Sequence, residues 1–138
     1  LLAADKILDN IDNILEEKVE FKEQEHKKAT YAGKIEKSEG KIDWGNSAET
    51  IIGKINGLYS SPGAWFIHKG ERYKVLKAEI SNGSGIPGVM LSERLEVGCK
   101  NNKSIKILEI QRQGKRNQNT NEFIVGSQIK KGTNLNNA

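Results

Sequence analysis

His26, His68 and Cys99 are the chain's only side chains suited to nucleophilic or soft-metal chemistry near neutral pH. A zinc centre takes about four such ligands, commonly with a C-x-x-C pair, and this sequence has one cysteine and no such pair. Cys99 ends an apolar run with Leu95 and Val97, where a buried, inert thiol is expected. No metal site and no catalytic residue are therefore expected. The stretch from Gly83 through Gly85 to Gly88 spells G-x-G-x-x-G. A dinucleotide site needs a helix to begin there, so that backbone N–H groups face a pyrophosphate. Pro87 disfavours a helical residue before it, and Val89-Met90-Leu91 reads as a strand, so the string is expected to be a glycine-rich hairpin loop.

What remains is cationic. Lys34, Lys37 and Lys41 are spaced along one extended segment, and Arg72 and Lys74 share a face of one expected strand by the two-residue period. Lys103 lies at a turn, and Arg112, Lys115 and Arg116 follow the last long strand. The net charge of +4 is unevenly spread. Residues 1–28 carry five lysines against eight acidic residues, whereas residues 99–138 carry eight basic residues against Glu109 and Glu122. Clustered cations gain by displacing counterions from a phosphate backbone, which points to a polyanion; a plain solubility charge is the competing reading. Exposed aromatics are few, and alternation along 64–68 predicts Trp65 buried. Phosphate contact therefore fits better than base stacking.

These residues need elements to hold them. Leu1, Leu2, Ile7, Leu8, Ile11, Ile14 and Leu15 form one stripe, predicting an amphipathic helix over 1–17, followed by a solvated connector. Ile35, Ile42 and Trp44 are expected to pin the lysine-bearing tether to a body. Asn46 followed by Glu49 predicts a capped helix with Ile51, Ile52, Ile55 and Leu58 on its buried face. Gly53 costs such a helix about 1 kcal/mol against alanine, which predicts close packing there. From Ala64 the period becomes two, with strands expected at 64–68, 72–80, 88–92, 94–99 and 104–112. Asn119 is expected to cap a last short helix that Gly126 stops. The fold class is thus mainly β: a small OB-like antiparallel β-barrel with short helices, preceded by an N-terminal helical arm and linker.

At 138 residues the chain fits one domain with an appended arm, and no apolar run approaches the ~18 residues of a membrane span. The sequence opens on Leu1 rather than methionine, which is the start expected of a piece of a longer protein, and no signal peptide leads it. A single cysteine favours a reducing compartment, so a cytoplasmic location is expected.

The order Ala29-Thr30-Tyr31-Ala32, Lys34-Ile35, Ile42-Asp43-Trp44 and Pro62-Gly63-Ala64-Trp65, then Pro87-Gly88 and Gln111 with Gly114-Lys115, resembles the C-terminal domain of the methionyl-tRNA formyltransferase family. Gly33 stands where that family commonly has proline, and Leu58-Tyr59-Ser60-Ser61 replaces its Asn-Pro-Trp approach to the Pro-Gly turn. The resemblance implies a two-domain enzyme that transfers a formyl group from 10-formyltetrahydrofolate to the amine of initiator Met-tRNA. A Rossmann-like catalytic domain would precede this chain, carry the chemistry and leave this part inactive alone, with no cofactor of its own. It further implies that residues 1–28 end that domain, 29–45 form a basic linker, 46–132 form the barrel and 133–138 a disordered tail. Lys34, Lys37 and Lys41 would face the tRNA acceptor arm. The expected partners are initiator Met-tRNA and the enzyme's own N-terminal domain, with a monomer expected and no membrane. The alternatives are the C-terminal domain of another folate-dependent formyltransferase or hydrolase, with a sugar-nucleotide substrate, or a free-standing barrel that binds single-stranded nucleic acid.

Overall fold

The computed structural model describes residues 2–20 and 22–136, in two compact units that divide at Gly33/Lys34. The first unit carries two short helices, α1 (Leu2–Leu8) and α2 (Ile11–Leu15), in place of one continuous helix. Between them the Asn10 amide donates to the Ile7 carbonyl (3.1 Å) while its side chain donates to the Lys6 carbonyl (2.8 Å). That tighter closure, with the side chain competing for the backbone, ends the first helix. Every described member of the apolar stripe is exposed, Leu2 and Leu15 most of all; Leu1 lies outside the described residues.

The second unit is an OB-like antiparallel half-barrel with short helices. Helix α3 (Ala48–Gly57) starts one residue later than expected: Ser47, not Asn46, is its cap, with its hydroxyl accepting from the Thr50 amide at 3.2 Å. Asn46 instead bonds Asp43, tightening the turn that leads in. Ile51 and Ile55 enter the core, while Gly53 is exposed and a Cβ there would meet nothing within 4 Å. The close packing expected at Gly53 is therefore absent among the described residues.

The strands are β1 (Ala64–His68), β2 (Glu71–Ser81), β3 (Met90–Ser92), β4 (Glu96–Cys99), β5 (Lys103–Arg112) and β6 (Asn117–Asn119). They pair in the order β1-β2-β5-β4-β3, with β6 also on β5. β1–β2 and β4–β5 are tight hairpins whose central residues all have positive φ: Lys69 and Gly70, then Asn101 and Asn102. Glycine and asparagine tolerate such turns best, and Lys69 is the exception among the four. The second side of β5 is shared, by β4 along 103–106 and by β6 along 109–111. The glycine-rich stretch is not a hairpin, because β2 pairs β5 rather than β3. It is a crossover loop lying on β4, where a Cβ at Gly98 would come within 2.5 Å of the Ile86 carbonyl oxygen. A final helix, α4 (Thr120–Gly126), is capped by Asn119 as expected.

Residues 133–136 are not a disordered tail. The Met90 amide donates to the Thr133 carbonyl (2.9 Å), the Leu135 amide to the Gly88 carbonyl (2.8 Å), and Leu135 is buried. Residues 137 and 138 lie outside the described residues. Cys99 is buried, with its thiol pushed up to about 11 by desolvation. Thiol reagents at mildly alkaline pH are expected to leave it unmodified in the native chain and to label it only in denaturant. Stoichiometric labelling without denaturant would contradict the burial. Among the described residues no helix is long and apolar enough to cross a membrane.

Candidate nucleic-acid interface

Strand β1 offers two adjacent aromatics to opposite faces of the sheet. Phe66 takes the core, where its ring stacks on Tyr73 at 5.4 Å between centroids. Trp65 lies on the outer face, yet is only 7% exposed. Its burial comes from the linker, not from the barrel interior that alternation alone would suggest. The Trp65 indole N–H donates to the Lys37 carbonyl (3.0 Å), the Ile42 amide donates to the Trp65 carbonyl (2.8 Å), and Lys41 pairs with Trp65 as a parallel bridge. The Arg72 guanidinium covers the exposed side of the ring at 4.3 Å from its centroid.

Three effects of different size hold the linker there. Ile42 is only 4% exposed and contributes roughly 1.5–3 kcal/mol by leaving water. Trp44 is 1% exposed and buries a larger ring, offset in part by an indole N–H that has no partner among the described residues. The indole hydrogen bond adds about 1 kcal/mol net and fixes which residue sits beside Trp65. The Lys54 ammonium, reaching from α3, donates to the carbonyls of both Glu39 (2.9 Å) and Lys41 (3.0 Å). The apolar anchors thus provide adhesion, and the polar contacts set the register. Ile35, expected as a third anchor, is 51% exposed.

Register then builds one row across the outer face. Lys41 lies beside Trp65, Trp65 opposite Lys74, Lys74 opposite Gln111, and Gln111 opposite Asn117. Arg72 stands two residues from Lys74 on the same face, where it joins Lys74, Gln111 and Gln113 around a shallow recess. With strands about 4.8 Å apart, the two lysine positions are about 10 Å apart. Lys34, Lys37, Lys41, Lys74 and Lys115 have no acidic partner within ion-pairing distance among the described residues. This makes them available to an anion.

The other expected cations are placed elsewhere. Lys103 pairs with Glu49 at the start of α3, and the same contact holds the Glu49 carboxyl below its ordinary range. It also stands eight residues from Gln111, the row's member on β5, about 27 Å of strand, so it does not join the row. Arg112 is opposite Tyr73, on the inner face, and bonds Glu71 at 2.5 Å. That hydrogen bond lowers the Glu71 carboxyl and raises Arg112. Arg116 pairs with Glu122 at 3.2 Å. The nine basic residues expected from the sequence to meet a polyanion thus divide, with Lys103, Arg112 and Arg116 neutralised away from the outer row. Sequence reasoning missed Lys54, a lysine set between Ile51 and Ile55 on the apolar side of its helix; that placement was the available signal. It also missed the part played by the uncharged Gln111 and Gln113.

A profile of the formyl transferase C-terminal domain matches residues 34–128. Over 137 residues, 99% of the chain, the sequence is 62% identical to a methionyl-tRNA formyltransferase of Pelagibacter ubique, of which it covers 44%. A methionyl-tRNA formyltransferase of Bradyrhizobium diazoefficiens is 36% identical over 83% of the chain and 38% of its own length. The chain thus spans less than half the length of these curated relatives. Among solved structures, HypX of Aquifex aeolicus, in complex with tetrahydrofolic acid, superposes with a TM-score of 0.61 at 21% identity, over 90% of this chain and 22% of that one. At that identity the likeness concerns the fold.

Proposed function

The chain belongs to the formyl transferase C-terminal domain family, and we propose that it is the RNA-holding portion of a methionyl-tRNA formyltransferase. In this reading the parent enzyme passes a formyl group from 10-formyltetrahydrofolate to the amine of initiator Met-tRNA in the cytoplasm. Residues 1–28 close its catalytic domain, 29–45 form the linker and 46–132 the barrel, in a monomer.

The observation that carries the proposal is the cross-strand row from Lys41 through Lys74 to Gln111, with the linker clamped onto it by Trp65 and Lys54. The row suits phosphate: cations without acidic partners, spaced by a sheet, flanked by amides that can donate to oxygen. Such contacts position an RNA and carry no base identity of their own. In this reading no formyl-transfer step falls to the barrel. Its one histidine, His68, stands beside Glu71 and Tyr73, and the buried Cys99 sulfhydryl is directed at the Val97 carbonyl. Neither forms a nucleophile with an adjacent base.

Titrating initiator tRNA into this chain tests the proposal. Binding in low salt is expected to weaken steeply and linearly in log–log form as salt rises. Absence of binding at tens of micromolar, or binding indifferent to salt, would overturn it.

A further inference from the structure

The inner face of the same strands opens into a cleft that the phosphate row does not use. It lies at the barrel mouth, encloses about 350 Å³, and is bordered by His68, Glu71, Tyr73, Arg112, Gln118 and Ser127. Its floor is built by aromatic packing: Tyr73 stacks on Phe66 and meets the edge of Phe123 at 5.9 Å. Tyr73 and Phe123 are each 7% exposed, so they form a wall and offer no open stacking face. Its lining carries two cations, Lys69 and Arg112, against two carboxylates, Glu71 and Glu122. Glu71 accepts from Arg112 at 2.5 Å and from the Tyr73 hydroxyl at 3.1 Å, Glu122 pairs with Arg116 at 3.2 Å, and the Lys69 ammonium donates to the neutral Gln128 side chain at 3.2 Å. A second phosphate would gain little in such a site. A flat, neutral molecule with hydrogen-bonding edges gains more, because His68 Nε2 is shielded from solvent and has no hydrogen-bond partner. Burial and the neighbouring Lys69 hold the imidazole's proton affinity below its ordinary value, which keeps the ring neutral at pH 7.

We propose that this mouth cleft receives an unpaired nucleobase of the RNA whose backbone lies on the outer row. The inference rests on the RNA-binding reading above. Its geometry follows from alternation along β2: Arg72 and Lys74 point to the outer face, Glu71 and Tyr73 to the cleft. A single nucleotide at the strand end can place its phosphate among the outer cations and its base in the cleft. The Gln118 amide reads the base edge, joined by His68 Nε2 once the half-buried imidazole turns its shielded nitrogen toward the cleft, while Glu71, fixed by Arg112 and Tyr73, accepts from an exocyclic amine or ring N–H. The volume is at the small end of ligand clefts, which run from about 300 Å³, and matches one nucleoside rather than a longer segment.

The test is a titration of the ¹⁵N-labelled chain with ribonucleoside 5′-monophosphates, with ribose 5-phosphate as the base-free comparison. The nucleotides are expected to shift the amides of His68, Glu71, Gln118 and Ser127, and ribose 5-phosphate is expected to leave them in place. His68→Gln and, separately, Gln118→Ala are each expected to weaken the response about fivefold or more, with spectral dispersion reporting that each variant is folded. Identical shifts from ribose 5-phosphate, or nucleotide shifts that persist in both variants, would overturn the base site. Retained salt-dependent tRNA binding beside a silent cleft sinks only this inference, whereas absence of tRNA binding sinks the reading beneath it.

Discussion

Replacing Lys41 and Lys74 together by alanine is expected to weaken initiator-tRNA binding by this chain roughly 10- to 100-fold near 0.1 M salt. The log–log salt slope should flatten by about two, one unit for each phosphate contact removed. The cause is geometric. Both lysines lie on the row built through Trp65, both lack an acidic partner among the described residues, and Lys41 is held in place through its carbonyl by Lys54. Removing their charge breaks no ion pair, so stability should change by no more than about 0.5 kcal/mol. Lys103→Ala provides the opposing measurement. That ammonium is already committed to Glu49, about 27 Å of strand from the row's β5 member Gln111, and its loss should leave the salt slope where it was. Binding isotherms at several salt concentrations decide the matter: a loss from Lys103→Ala about half that of the double variant on a logarithmic scale, one charge against two, would mean that net charge, not the row, attracts the RNA.

Much of the fold was legible because local chemistry dictates it. Lys69-Gly70 and Asn101-Asn102 announce tight turns, Asn119 announces a cap, and alternation announces strands β1 to β5. Partner choice was not legible. That β2 pairs β5 and leaves β3 to β4 depends on contacts distant in sequence, so the loop from Asn82 to Val89 read as a hairpin when it is a crossover. Strand β6 carries only Asn117, Gln118 and Asn119, whose polarity gives periodicity nothing to detect. The candidate site suffered in the same way. Lysine identity and spacing flagged Lys41, Arg72 and Lys74, but only register aligns them, and only tertiary contacts with Glu49, Glu71 and Glu122 take Lys103, Arg112 and Arg116 out of the set. Trp65 shows the limit most plainly. Alternation foresaw a buried ring but not that a lysine-rich linker would bury it.

That dependence of the row on the linker makes Gly40 the most sensitive position for a change that adds no charge. Gly40 is buried and closes the short 3₁₀ turn Lys37–Gly40, immediately before Lys41. A Cβ built on it would lie 2.3 Å from the Gly63 carbonyl oxygen and 2.8 Å from two atoms of the Trp65 ring. Neither neighbour can yield cheaply. Gly63 has φ of +82° and donates its amide to the Leu58 carbonyl at 2.9 Å, while Trp65 is pinned between the linker and Arg72. Gly40→Ala therefore either overpacks this seat, at roughly 1–3 kcal/mol, or lifts the linker and forfeits the hydrogen bonds from Trp65 and Lys54 at about 1 kcal/mol each. Both routes lower the melting temperature, by on the order of 10 °C for a unit of this size. The second also weakens tRNA binding although every lysine is retained, because Lys37 and Lys41 lose their fixed place beside Lys74. Gly53→Ala makes the contrast, since its Cβ meets nothing within 4 Å on an exposed helix face. It should stabilise by about 0.5–1 kcal/mol and leave binding unchanged. Thermal unfolding and tRNA titration of the two variants side by side would refute the clasped linker if Gly40→Ala behaved as Gly53→Ala does.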